Sequence, residues 1–596
     1  MSFKEALKNN PIIFLFSREW KFSEGNRNKL VLAWFMFFIA NFIDFFEPMI
    51  IGYVLNDIQN NGINSNNIAS ILILLGIFAS LTVGFWIFHG PARVIENNNA
   101  FMARANYRKY MMDGTMNLNA SWHTNHHSGD TIDKIEKGAQ GLYDFASTNY
   151  ELIETLVRLV GSYVALSYFN LPSAYIVIFI VIMAGFIILK FDQTLIKQYK
   201  TIFGAENKLS EKVYDIISNI TTVIILRIEK LVSKEIWKKI MWPYSIYLKN
   251  IKLNELKWFL VSMCGTLMTI TILGSYIYSA YTSNNLVMLG TIFVLYTYVN
   301  RITDIFFRFA YRYAHIVRWK TKVQNSEEVS NDFQDMKKNK NGLLSKKWNN
   351  IEIKDLEFSY EDQKNKKHLN KINLFIKRGQ RIALVGESGS GKTTTLKVIR
   401  ELYPITAGKI LLDGNELKGF KEISSNISLI PQEPEIFTTT IKENITVGVN
   451  YSMNEVKKFS KLARFDDVAE RLPNKYESSI VEKGVNLSGG EKQRLALARG
   501  LMASKDKEMI LLDEPTSSVD SKNELEIYQN IFSHFKNKTI LSSIHKLHLL
   551  ILFDRIYYFK RGKIFAEGTF LELIDKSPEF KKLWEKYTKT HKEPLK

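Results

Sequence analysis

Hydrophobic residues are distributed very unevenly along this chain. Six apolar runs long enough to cross a bilayer lie in the first half, near 29–54, 68–90, 147–168, 172–190, 257–280 and 287–310. From about 350 the pattern changes to short apolar runs, "RIALVG", "KILLDG", "ISLIPQ" and "EMILLDE", alternating with stretches of helical spacing. That alternation predicts an α/β domain built on strands and crossover helices. The expected fold is an α-helical six-span membrane domain with long cytosolic helical extensions, followed by an α/β P-loop domain. The segments are 1–28, an N-terminal amphipathic helix on the membrane surface; 29–320, the spans; 321–349, a polar linker; and 350–596, the α/β domain.

The connections fix an orientation. The loops "NDIQNNGINSNN", "SYFNLPS" and "YTSNN" contain no lysine or arginine, whereas the other connections carry Arg93, Arg104, Arg108, Lys109, Lys190, Lys197 and Lys200. The positive-inside rule then places both termini in the cytosol. The two inward connections, 91–146 and 191–256, have helical apolar spacing and almost no proline. If each folds back halfway, its arms add about 35–40 Å to the spans at ~1.5 Å per residue. The turns are expected near 108–120 and 208–220, and they are the natural contact points for a cytosolic domain.

Composition changes this picture little. The 596 residues exceed a single core, and the formal charge of +19 is accounted for by positive-inside loops and a lysine-rich cytosolic half. The apolar first half excludes a soluble nucleic-acid-associated protein. The single cysteine, Cys264, allows no intrachain disulfide and is expected to be a packing residue. No cleavable signal is evident in the first 30 residues. Heavy Asn, Lys and Ile usage suggests a bacterial chain and hence a cytoplasmic membrane.

Chemistry concentrates in the second half. "GESGSGKT" (386–393) follows the strand "RIALV" and fits a phosphate-binding loop. Gly386, Gly389 and Gly391 let backbone N–H groups approach phosphates, with Glu387, Ser388, Ser390 and Thr394 completing the cradle. Lys392 would neutralise β/γ-phosphate charge and the Thr393 hydroxyl would ligate Mg²⁺. "MILLDE" ends a second buried strand, where Asp513 would hold the magnesium through water and Glu514 would polarise an attacking water. A second anion site, "NLSGGEKQR" (486–494), lies a hundred residues downstream with no hydrolytic residues of its own.

This combination resembles the ATP-binding-cassette family, whose signature is similar to "LSGGEKQR". The resemblance covers about 350–580, and the six spans with long arms resemble the exporter type. It implies that Tyr360 in "EFSY" stacks on adenine and that Gln432 in "ISLIPQE" is the Q-loop residue, also near the metal. Asp520 in "SSVD" would lie in the D-loop, and His545 in "SSIHKL" would be the switch histidine. It further implies that two cassettes dimerise head to tail, so that Ser488, Gly489 and Gly490 cap ATP held by the other chain's phosphate loop. A homodimer with two composite ATP sites is the simplest form. The chain departs from family usage at Pro515, Val481 and Ile544, none of which is a hydrolytic group.

The implied activity is an ATPase coupled to export, or leaflet flipping, of an amphiphilic solute, lipid or peptide. No cysteine-protease region precedes the first span, which disfavours peptide-processing exporters. An importer on the same fold, and a membrane ATPase acting as sensor or assembly partner, are the alternatives. Charges in a span cost roughly 2.5–3.5 kcal/mol each on insertion scales, which draws notice to Arg301, Arg308 and Arg312 on one face of the sixth run. Asp304 is spaced to pair with Arg301 and Arg308. The stripe either pairs between helices, with Asp44 and Glu47 as partners and Arg312 snorkelling, or lines a cavity for anionic or amphiphilic cargo. "WHTNHHSGD", with His123, His126 and His127, reads as a polar turn rather than a metal site.

Overall fold

Asn10 starts the first helix. Its side-chain oxygen accepts the N–H groups of Ile12 at 2.9 Å and Ile13 at 3.3 Å, and Pro11 occupies a position that needs no donor. In this computed structural model the described residues are 10–333, 344, 347–360, 367–433, 435–480 and 487–590. They fall into two compact units, Met1–Leu118 with Asn125–Asp335, and Asn119–Thr124 with Met336–Lys596. Val481 lies outside the described residues, as does most of the polar stretch 334–346.

The helices in chain order are α1 (Pro11–Phe22), α2 (Arg27–Phe45), α3 (Glu47–Asn61), α4 (Ile68–Met116), α5 (Ala120–Asn125) and α6 (Ser128–Ala146). They continue with α7 (Tyr150–Phe169), α8 (Pro172–Ser218), α9 (Ile220–Ile225), α10 (Glu229–Met241), α11 (Tyr244–Thr282) and α12 (Leu289–Ser330). The first run is interrupted after Phe45, because Pro48 opens α3 and cannot donate to the preceding turn. Five stretches, Arg27–Asn61, Ile68–Met116, Ser128–Phe169, Pro172–Ser218 and Glu229–Thr282, are long and apolar enough to cross a membrane. α12, at 42 residues, is long enough to be the sixth. Asn300, Arg301 and Asp304 dilute its apolar character.

Two expectations shift. The arm turns fall at 117–127 and 219–228 rather than 108–120 and 208–220, because α4 continues through Pro91 and Gly114 to Met116 and α8 continues to Ser218. α12 also runs to Ser330, into the segment read as linker, because Trp319, Val323, Ser326 and Val329 keep one face buried. Val294, Leu295, Tyr298, Val299 and Ile302 of α12 share a core with α8 and α11, where Cys264 is buried. Gly52 and Gly290 let α3 and α12 touch backbone to backbone: a Cβ on Gly290 would lie 1.9 Å from the Gly52 carbonyl oxygen.

The arginine stripe pairs between helices. Arg301 reaches Asp44 of α2 at 3.4 Å and Glu47 of α3 at 3.2 Å. Arg308 reaches Glu154 of α7 at 3.1 Å, and Arg312 pairs with Glu151 of the same helix instead of snorkelling. Arg158 of α7 joins Asp44 at 3.4 Å and Glu154 at 2.9 Å. Four arginines and four carboxylates thus form one ladder across three spans. Asp304 is not a rung: it is exposed, and among the described residues no ion pair reaches it. Arg301 and Arg308 turn toward α2, α3 and α7, away from Asp304.

The second unit has β1 (Asn350–Phe358), β2 (Leu369–Lys377), β3 (Arg381–Val385), α13 (Lys392–Ile399), β4 (Ala407–Leu412), β5 (Asn415–Leu417) and β6 (Ile427–Ile430). Next come α14 (Ile441–Thr446), α15 (Met453–Leu462), α16 (Asp466–Arg471), α17 (Gly489–Ala503), β7 (Met509–Asp513), α18 (Ser521–His534) and β8 (Thr539–Ile544). β9 (Arg555–Lys560), β10 (Lys563–Gly568), α19 (Phe570–Lys576) and α20 (Pro578–Thr590) complete it. One sheet is antiparallel, in the order β2-β1-β4-β5; the other runs β10-β9-β3-β8-β7-β6, with β9, β3, β8, β7 and β6 parallel. β7 and β8 are buried along their whole length, so the ends of parallel strands gather polar residues at one sheet edge.

Where α8 meets α11, Lys257 and Asp192 form a buried pair at 3.1 Å, with side chains 3% and 7% exposed. Removing one partner strands the other's charge. Lys257→Met is expected to lower stability by about 3–5 kcal/mol, and Lys257→Met with Asp192→Leu by clearly less. Thermal unfolding of the purified chain in nanodiscs measures both.

Candidate functional site

The phosphate loop leaves β3 at Val385 and enters α13 at Lys392. Gly386 has φ +153° and a Cβ there would lie 2.2 Å from the Phe559 carbonyl oxygen. Gly391 has φ +110° and a Cβ there would lie 2.9 Å from the Leu369 side chain. Only glycine closes this loop. Gly389 is also left-handed, Ser390 is buried, and Glu387 and Ser388 are exposed on the rim.

Lys392 lies across the loop with its side chain 5% exposed. Its Nζ donates to the carbonyls of Gly386 at 2.8 Å and Glu387 at 3.3 Å, and Glu514 is 3.9 Å away. Burial pushes its ammonium below the usual lysine range, and Glu514 and Asp513 pull it back up. The next residue, Thr393, donates its hydroxyl to Asp513 Oδ1 at 2.8 Å. Ser543 donates to the same oxygen at 2.7 Å and accepts the Glu514 N–H at 2.9 Å. Parallel pairing of β7 with β8 places Asp513 directly opposite Ser543.

Glu514 sits in a left-handed conformation at φ +44°, which turns it out of the sheet just before Pro515. Its Oε2 accepts the Gln432 amide at 3.0 Å. Glu514, Ser543, His545 and Lys546 line one cleft with Thr516 and Glu524. His545 is exposed at its mouth, beyond the buried Ile544. The Tyr360 hydroxyl lies 3.3 Å from the Thr394 hydroxyl, and its ring meets Tyr403 and His368 edge on at 5.2 and 4.8 Å. The structure therefore brings Tyr360, Gly386–Thr394, Gln432, Asp513, Glu514 and His545 to one edge of the sheet.

The second anion motif is built differently. Ser488 caps α17 in a capping box with Glu491: the Ser488 N–H donates to Glu491 Oε2 at 2.8 Å. Ser488 and Gly489 are exposed, and Gly490 is held so close to the Ser518 carbonyl that a Cβ would lie 2.6 Å from it. Among the described residues no hydrogen bond joins this motif to the phosphate loop. Asp520 caps α18, and N–H donation from Asn523 holds its carboxyl below the usual range.

Two polar residues in this site had no role assigned by sequence. Ser543 follows Ser542 in a strand that is buried along its length, and that pair of hydroxyls in a buried strand is the one signal that marked it. Gln493 is buried in α17. Its amide donates to the Gln432 carbonyl at 3.2 Å and the Ser517 hydroxyl at 2.7 Å, and its oxygen accepts the Ser518 N–H at 2.8 Å. One side chain thus ties the second anion helix to the loops bearing Gln432 and Asp520.

The residues suit a Mg²⁺-nucleotide: the cradle admits no Cβ at Gly386 or Gly391, and among the described residues the buried Ser390 hydroxyl has no partner and Lys392 meets only carbonyls and a carboxylate.

Comparison with known proteins agrees with this geometry. The ABC transporter family model matches residues 369–517, and the ABC transporter transmembrane region matches residues 30–305. "Multidrug resistance protein 3" of Entamoeba histolytica is 36% identical over 38% of this chain and 18% of that protein. A "Putative export ATP-binding/permease protein" of Rickettsia bellii is 34% identical over 46% of each. The chain spans less than half the length of the curated relatives named here. In fold it resembles the solved "Structure of a bacterial Atm1-family ABC exporter with ATP bound", with TM-score 0.80 at 20% identity, over 94% of this chain and 99% of that one. With both regions matched in order on one polypeptide, the chain belongs to the ABC transporter family, with a membrane region and a nucleotide-binding region fused in one chain.

Proposed function

We propose that this chain is half of an ATP-driven exporter, or leaflet flippase, for an amphiphilic solute, lipid or peptide. It works as a homodimer in a bacterial cytoplasmic membrane with both termini cytosolic. The observation that carries this reading is the division of labour within one chain. Phosphate cradle and hydrolytic carboxylates are bonded together at one sheet edge, while Ser488 and Gly489 stand exposed and unbonded to that cradle. A second chain supplying Ser488, Gly489 and Gly490 completes each ATP site.

In this mechanism Lys392 exchanges its carbonyl partners for phosphate oxygens, and Tyr360 stacks on the adenine. Thr393, Gln432 and Asp513 would hold Mg²⁺, which supplies neutralising charge to the phosphates when bound. Ser543 keeps Asp513 and the Glu514 backbone in register. Glu514 orients the attacking water and takes its proton, and His545 donates a hydrogen bond toward the γ-phosphate. The Gln432 amide, bonded to Glu514, must release it for the carboxylate to turn inward. ATP favours the closed pair of cassettes and hydrolysis removes that preference, which is how a nucleotide biases the membrane unit.

Glu514→Gln is expected to keep ATP binding and dimer closure while phosphate release falls by about 10²–10⁴-fold; turnover near wild type would contradict the assignment. Ser488→Arg and Lys392→Ala should each abolish turnover alone. Mixed, they regenerate one intact site per mixed dimer, or roughly a quarter of wild-type activity for random pairing. ATPase assays on co-reconstituted chains measure this, and no recovery argues against sharing in trans. Export itself is tested by ATP-driven flux of a fluorescent amphiphile into inside-out vesicles.

A further inference from the structure

Within their apolar runs, the exposed positions of α2, α4, α7 and α8 are overwhelmingly apolar: Phe35, Leu72, Val164 and Phe179 are 50–70% exposed, as suits helix faces turned to lipid. α12 is the exception. Tyr296, Asn300, Asp304, Arg308 and Tyr311 recur at intervals of four, four, four and three residues and so share one face. Tyr296 is 49% exposed, Tyr311 60%, and the Arg308 side chain 57%. A polar face on a span faces water or a bound solute rather than hydrocarbon.

Charge decides what that solute is. The four arginines of the ladder are matched by Asp44, Glu47, Glu151 and Glu154. Arg308 is offset by Glu154, so the exposed carboxylate of Asp304 is the surplus charge on this face. Asp304 lies about 22 Å along α12 from Leu289, at ~1.5 Å per residue, which is within the ~30 Å hydrocarbon thickness. The rings of Tyr296 and Tyr311, about two turns away on either side at 3.6 residues per turn, give the same face an affinity for cation-bearing, apolar bodies.

We infer that the Tyr296–Tyr311 face of α12 is a cargo-contacting wall, and that Asp304 gives it a preference for lipophilic cations over lipophilic anions. The inference rests on the export reading above and reverses the charge preference that the arginine stripe alone suggests.

The test uses the full-length chain in nanodiscs without nucleotide, with tetraphenylphosphonium and tetraphenylborate as probes of matched shape. Each probe is compared between wild type and variants in the same lipid, so that bilayer partitioning cancels. Asp304→Asn is expected to weaken tetraphenylphosphonium binding about tenfold, the equivalent of one modest charge contact. It should not weaken tetraphenylborate binding, and Asp304→Glu should retain the cation affinity. Unchanged cation binding in Asp304→Asn, equal loss of both probes, loss in a folded Asp304→Glu, or no cation binding by wild type would each overturn the inference. So would dissociation of the dimer on Asp304→Asn, seen by light scattering, since Asp304 would then pair with the second copy. Absence of vesicle flux with the cation contrast intact would instead sink the export reading alone.

Discussion

Lys392, nearly buried and held by two backbone carbonyls, has a charge that its surroundings compensate only in part. The constraint it exemplifies, that a charge removed from water must find opposite charge or oriented dipoles, organises both units of this chain. In the nucleotide-binding unit it keeps Glu514 near the lysine and turns two backbone carbonyls onto Lys392. In the membrane unit it draws acids from α2, α3 and α7 onto the arginines of α7 and α12. The two regions meet the same constraint in different ways, with oriented carbonyl dipoles around Lys392 and with paired acids around the arginines.

How much of this was legible in the sequence depended on whether the relevant contacts are local. The phosphate loop and "MILLDE" were readable because each is a short run whose backbone dictates its own geometry. Ser543 was not, because its two hydrogen bonds exist only once β8 lies beside β7 in parallel register. The arginine face was readable from helical spacing, and Asp44 and Glu47 were anticipated as partners, but Glu151 and Glu154 were not. Asp304 was misplaced for an instructive reason. Spacing of three or four residues permits a contact along a helix, and the competing acids on neighbouring helices decide whether the arginine takes it. The arm turns moved by some eight residues because nothing in α4 or α8 ends the helix earlier.

Gln493 shows how the nucleotide-binding unit shares information internally. Its single amide bonds the loop carrying Gln432 and the loop preceding Asp520, and it belongs to the helix that Ser488 caps. A displacement of α17 therefore strains hydrogen bonds at both loops. Since Gln432 also bonds Glu514, the Glu514 carboxylate is two hydrogen-bonded residues away from the helix that Ser488 caps.

The closed ladder of four arginines and four acids also constrains how this lineage can drift. Arg301 and Glu154 are the largely buried members, so a change at either strands a neighbour's charge and survives only alongside a compensating change across the helix boundary. Descendants of this gene should therefore alter these positions in concert, and pairs of sign-reversed or jointly neutralised residues would record, in inherited sequence, which spans have stayed neighbours.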